Sequence, residues 1–156
     1  MLIGVISDTH GLLRPEALTA LAGVDHILHA GDVGDPAILD ALAAIAPVTA
    51  IRGNIDTHGP CAKLPATEAI ELDGRLFYLV HSVDWLDLDP VAAAIACVVS
   101  GHSHKPSIHT ADGVLYLNPG SAGPRRFSLP VAIALLDITP AALTPRLIHL
   151  PLATPH

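Results

Sequence analysis

The sequence predicts an α/β fold built on one continuous core, and three features carry that prediction. Short β-rich apolar runs alternate with Ala/Leu-rich helical stretches through the first hundred residues, the pattern of parallel strands covered by helices. Two Asp-Gly pairs further on, Asp73-Gly74 and Asp112-Gly113, are each flanked by strand-like runs, the strongest short hairpin signal. At 156 residues, 51% of them hydrophobic, the chain has enough apolar material for one domain spanning residues 1–156 and too little for two.

Taken in order, Leu2 to Ser7 reads as the first strand and Pro15 to Ala22 as a helix with Pro in its first turn. His26 to Ala30 is the second strand. Asp35-Pro36 opens another helix, because Asp caps and Pro fits the first helical position, and Pro47 stops it after about Ala46. Val48 to Arg52 is the third strand. After a Gly/Pro loop, Ala66 to Leu72 and Arg75 to Val80 form the first hairpin. Pro90 to Ala96 reads as a short helix and Cys97 to Ser100 as a buried strand, with Cys97 as a small core residue rather than a reactive thiol. Ser107 to Ala111 and Val114 to Leu117 make the second hairpin. Val131 to Ile138 and Leu143 to Leu150 are two further strands joined at Thr139-Pro140.

Composition narrows the function classes. Ten His exceed the eight Lys and Arg combined, and twelve of the fifteen acidic residues are Asp. Asp and His are short side chains suited to turns, caps and metal coordination. A net charge of −7 with two Lys argues against a nucleic-acid coat, which needs a basic surface. No apolar run approaches the ~18 residues of a membrane span, and the opening lacks the basic start and length of a signal peptide, so the expectation is a soluble cytoplasmic protein that binds no membrane. Cys61 and Cys97 have neither metal-type spacing nor a disulfide pattern.

Five predicted strands end in residues able to bind a metal, each where Gly or Ser lets the chain turn. These ends are Ser7-Asp8-Thr9-His10-Gly11, Gly31-Asp32, Gly53-Asn54-Ile55-Asp56, His81-Ser82 and Gly101-His102-Ser103-His104. In α/β sheets ligands collect beyond the carboxyl ends of strands, so all five can meet at one rim. Continued to Asn118-Pro119-Gly120-Ser121, this ordered set resembles the calcineurin-like metallophosphoesterases, in particular their small single-domain phosphodiesterase branch. The resemblance implies a four-layer α-β-β-α sandwich of two mixed sheets flanked by helices.

Carried over residue by residue, the resemblance assigns Asp8, His10 and His104 to one metal and Asn54, His81 and His102 to a second, with Asp32 bridging. It implies two divalent transition-metal ions, Mn²⁺ foremost with Fe²⁺, Zn²⁺, Co²⁺ or Ni²⁺ as alternatives, in keeping with carboxylate, imidazole and amide-oxygen ligands. Two ions about 3.5–4 Å apart can hold a hydroxide between them for in-line attack on a phosphodiester. Two divalent ions, two carboxylates and one hydroxide leave a net positive charge, which attracts a phosphate despite the acidic chain.

Several residues near these motifs call for separate roles. Many relatives have His after the Asn of Gly-Asn; here it is Ile55, which can neither donate a proton nor polarise an ester oxygen. Asp56 would orient that His, and His58 is a candidate to recover part of its role. Ser82 stands where the family usually has Gly. His29 is placed to orient a ligand through a hydrogen bond, and Arg125 or Arg126 could fork onto a phosphate oxygen. His26, His109, His149 and His156 have no paired motif and read as surface or satisfied core residues. Asn118-Pro119-Gly120-Ser121 reads as a turn with exposed amides near the metal rim.

The leading expectation is therefore a phosphodiesterase acting on a small phosphodiester. Two other functions are compatible with the fold: a non-catalytic scaffold like the retromer subunit of similar architecture, and a nuclease, against which the shortage of Lys counts. Apolar edges in so hydrophobic a chain also suggest a homodimer.

Overall fold

The first strand sets the layers. In β1 (Leu2–Ile6) of the computed structural model, which describes residues 1–152, Ile3 and Val5 face one side while Leu2, Gly4 and Ile6 face the other, the period-2 pattern of a strand buried on both faces. It pairs in parallel with β2 (His26–His29), which pairs in parallel with β3 (Val48–Ala50). Helices α1 (Pro15–Ala20) and α2 (Pro36–Ala43) form the two crossovers. Asp35 caps α2 by accepting the Ala37 amide at 2.9 Å, and Pro36 follows it at the first helical position.

The second sheet uses β4 (Thr67–Leu72), β5 (Arg75–Val80), β6 (Cys97–Val99), β7 (Ser107–Ala111) and β8 (Val114–Asn118) in the order β4-β5-β6-β8-β7. Both expected hairpins form, and Asp73, Gly74, Asp112 and Gly113 all have the positive φ that a two-residue hairpin turn requires. The chain then returns to the first sheet as β9 (Ala132–Ile138), antiparallel to β1, and β10 (Leu143–His149), giving β10-β9-β1-β2-β3. The architecture is an α/β sandwich of two mixed five-stranded sheets.

The central core lies between the sheets, where Ile3, Val5 and Leu28 meet Phe77, Leu79 and Leu117. Cys97 is fully buried there, as expected. On the outer face of the first sheet, Leu21 of the α1 end and Ile38 and Leu42 of α2 cover Ile6, Ile27 and Ile133. Among the described residues, the outer face of the second sheet carries no α-helix. Residues 90–96, expected as a helix, form a single capped turn. Asp89 caps it by accepting the Val91 amide, and Ala94 at φ +59° closes it through Ala94 N–H to Val91 O and Ile95 N–H to Pro90 O. Both caps fall within seven residues, leaving no room for a helical interior. Ile95, Leu86 and Leu88 cover Tyr78, Val80 and Val98 instead.

All the parallel strands of both sheets deliver their carboxyl ends to one rim, and this is what positions the site. No helix among the described residues is long and apolar enough to cross a membrane.

Gly4 is where β1 passes under α1: a Cβ there would run into the Leu21 side chain. Leu21 is fully buried and cannot swing away. Gly4→Ala is expected to cost about 1–3 kcal/mol by overpacking, read as a lower urea midpoint with an unchanged slope.

Candidate metal centre

Two carboxylates anchor the rim, and each divides its oxygens in the same way. Asp8 follows β1 and is fully buried. Its Oδ2 accepts from Ser7 Oγ at 2.6 Å and from the His102 amide at 3.0 Å. Its Oδ1 has no hydrogen-bond partner and faces His104 Nε2 at 3.3 Å, His10 Nε2 at 3.6 Å and His81 Nε2 at 3.8 Å. Asp32 follows β2 and accepts the Ile55 amide on Oδ1 at 3.0 Å. Its Oδ2 faces His81 Nε2 at 3.2 Å and His10 Nε2 at 3.3 Å.

Three histidines face these oxygens, and the hydrogen bond of one of them, His81, fixes which of its nitrogens carries the lone pair. His81 Nδ1 donates to the Ala30 carbonyl at 2.7 Å, so in the neutral ring Nε2 is bare and points at both carboxylates. His10 Nε2 and His81 Nε2 are buried without a hydrogen-bond partner. Acceptors facing acceptors in a buried site repel unless a proton or a cation lies between them. Asp8, His10 and His104 form one group whose ligand atoms could hold a metal ion, and Asp8, Asp32 and His81 form another. At the exposed edge, His102 Nδ1 lies 3.1 Å from Asn54 Oδ1, and the His102 ring is 5.1 Å from that of His81. The expected ligand residues therefore gather at one rim, and the donor set suits a borderline divalent cation.

Backbone shape makes this possible. Asp8, His10, Asp32, His102 and His104 all have φ between +48° and +70°, a region that costs most L residues energy and that Asp and His tolerate better than bulky ones. Close approach completes the cradle: a Cβ on Gly53 would strike the Asp32 side chain, and one on Gly101 would strike Ser7 and Asp8. Burial by itself disfavours a charged Asp8, yet the His10 and His104 rings beside it and the Ser7 hydroxyl outweigh that and hold the carboxyl well below the usual range. Asp32 is lowered likewise, against burial, by His81 and the Ile55 amide. His81 is raised: burial opposes its proton, but Asp32 and the Ala30 carbonyl favour it.

The sequence model of the calcineurin-like phosphoesterase superfamily domain matches residues 1–140. The chain belongs to this superfamily. Among calcineurin-like relatives, a probable metallophosphoesterase of Methanothermobacter thermautotrophicus is 36% identical over 150 residues, covering 86% of this chain and 85% of that protein. Two solved structures share the fold: an archaeal phosphodiesterase, with a TM-score of 0.78 at 24% identity over 95% of this chain and 100% of that one, and Vps29 of Chaetomium thermophilum, with 0.75 at 18% identity over 97% and 98%.

Within this calcineurin-like frame, some neighbouring residues behave differently from expectation. Asp56 does not orient His58. It is buried and accepts the amides of Val33, Gly34 and Gly53 at 2.9–3.1 Å, clamping the Asp32 loop to the Asn54 loop. His58 is exposed, its Nδ1 3.4 Å from Thr57 Oγ1. With three backbone donors on its carboxylate, Asp56 already has its partners. His29 touches no candidate ligand side chain. Its Nδ1 accepts the Gly31 amide, so Nε2 donates to Thr9 Oγ1, which donates to Val33 O. It thus fixes Thr9, between Asp8 and His10.

The 118–121 segment is buried rather than an exposed-amide turn. Gly120 N–H bonds to Asn118 Oδ1, and Ser121 Oγ donates to the Asp8 carbonyl. Arg125 and Arg126 lie exposed in the following loop, with no side-chain hydrogen bond or ion pair among the described residues. Ser82 accepts the Asp84 amide and caps the 3-10 turn Val83–Trp85 at φ −121°, a conformation that needs no glycine. His26 is satisfied by Thr49 Oγ1 at 2.8 Å, His109 stacks on Tyr116 and His149 is exposed; His156 lies outside the described residues. The sequence reading missed Ser7, Thr9 and Trp85. The adjacency of Ser7 and Thr9 to Asp8 was the available signal for the first two.

Asp56→Ala strands three backbone donors at about 1–3 kcal/mol each if they stay dry. A loss of several kcal/mol in urea unfolding is expected, with weaker metal binding, whereas His58→Ala should change neither. Burial pushes His29 from 6.5 down to about 4. Between those values the unfolded chain binds a proton that the folded chain refuses. Its contribution is therefore complete above about pH 6.5 and is lost as pH falls towards 4. Unfolding free energies of the metal-stripped protein should fall across this window, and more gently in His29→Gln; equal slopes would refute the assignment.

Proposed function

We propose that this chain is a metal-dependent phosphodiesterase whose site holds two divalent transition-metal ions. Asp8, His10 and His104 would hold one, Asn54, His81 and His102 the other, and Asp32 would lie between them. The observation that carries this reading is the convergence of three buried polar atoms, Asp8 Oδ1, His10 Nε2 and His81 Nε2, that have no hydrogen-bond partner among the described residues. Such ions, when bound, lower the pKa of a water and neutralise the charge on phosphate oxygens. Mn²⁺ is the first candidate, with Fe²⁺, Zn²⁺, Co²⁺ and Ni²⁺ as alternatives. The likeness to an archaeal phosphodiesterase and to a probable metallophosphoesterase supports the same chemistry.

The chain's own residues account for the rest. Ser7 and the His102 amide share one oxygen of Asp8 and the Ile55 amide takes one of Asp32, so the remaining oxygen of each stays aimed inward. Asn54 and His102, at the exposed edge, are placed to meet an entering phosphate. Ile55, 38% exposed, presents an aliphatic side chain and supplies no acid for the leaving group. The departing alkoxide must take its proton from water, so diesters with acidic leaving groups are the favoured substrates.

Hydrolysis of bis-p-nitrophenyl phosphate by the Mn²⁺-reconstituted protein should fall at least about 100-fold in Asp32→Ala, together with its metal content. Less than one metal equivalent per chain and no hydrolysis in the wild type would favour a protein-binding scaffold instead. Across aryl and alkyl diesters, the rate should climb with leaving-group acidity. A flat dependence would show that some residue does supply a proton.

A further inference from the structure

Trp85, the sole tryptophan, sits beside the metal centre and is left 51% exposed. Its ring centroid lies 5.0 Å from that of His102 and 6.0 Å from that of His81, tilted about 45° to both. Aromatic residues make up only 3% of this chain, and this one lies with its ring against two histidines of the candidate metal centre. The loop does not need the indole for its own fold. Leu86 and Leu88 pack onto the second sheet, Tyr78 Oη donates to Asp87 at 2.7 Å, and Ser82 caps the turn. Trp85 is held in place by its neighbours and kept out of the core.

We propose that Trp85 is a specificity residue that stacks on a planar aromatic ring carried by the ester substituent of the phosphate, selecting aryl or nucleoside phosphoesters over alkyl ones. This rests on the metal-dependent phosphoesterase reading. A phosphate seated against His81 and His102 places its ester substituent over the rim those rings share with the indole. The indole lies against both imidazoles, and about half of the residue is open to solvent. Stacking of this kind contributes about 1–3 kcal/mol per ring, because every planar ring offers a π-face whatever its substituents.

Non-hydrolysable phosphonates separate this from catalysis. With the Zn²⁺-loaded protein, phenylphosphonate should bind about tenfold or more tightly than methylphosphonate by calorimetry, and should shift the emission of the single tryptophan. In Trp85→Ala the two affinities should converge, while Trp85→Phe should retain part of the preference. Adenosine monophosphate compared with ribose 5-phosphate tells a nucleobase from a simple aryl group: a preference in the first pair alone restricts the class to aryl esters. Equal affinity for both members of each pair in the wild type, or a preference that survives Trp85→Ala, overturns the role of Trp85 and leaves the metal centre standing. Failure of every one of these anions to bind overturns both.

Discussion

The structure turns on how two buried carboxylates share out their oxygens. Asp8 and Asp32 each give one oxygen to donors from the protein and keep the other bare and inward. Everything nearby serves that division. The hydroxyl of Ser7 and the amides of Ile55 and His102 occupy the outer oxygens, and His81 turns its lone pair inward because Ala30 takes its Nδ1 proton. Satisfying the outer oxygens aims the inner ones, and the price is a cluster of charge that a proton or a cation relieves.

That cluster is built on strained turns rather than on regular strands. Five of its side chains leave backbones in the left-handed region, and glycines lie where any side chain would collide with the cluster. Asp56 then ties the second and third strand ends together from behind, and Ser121 braces the Asp8 loop through its carbonyl. Rigidity comes from backbone amides and hydroxyls outside the cluster, which lets the ligand atoms remain free of other bonds.

Most of this fold was legible because the local signals are strong. The apolar β-branched run from Leu2 to Ile6, the cap at Asp35-Pro36 and the two Asp-Gly turns each encode their element locally. The metal-capable residues were legible because each follows a strand and precedes or accompanies a Gly or Ser. What sequence could not show is which partner a side chain prefers. Asp56 and His58 are two residues apart, yet the carboxylate turns to three amides brought in from other loops. Pro90 to Ala96 has helical composition, but capping at both ends reduces it to one turn. His29 stands two residues before a Gly-Asp pair and acts through Thr9, a contact made only when β1 and β2 lie side by side.

The two sheets are hydrogen-bonded within themselves and meet mainly through apolar side chains, while the rim draws on both. Asp8, His10, Asp32 and Asn54 come from the first sheet, and His81, His102 and His104 from the second. An ion bound there would act as a staple across the sandwich, binding the folded state and having no site in the unfolded one. Stability would then rise with the logarithm of free metal. The same cation that prepares the chemistry would hold the halves of the molecule in register, so that losing it loosens the fold and the reaction together.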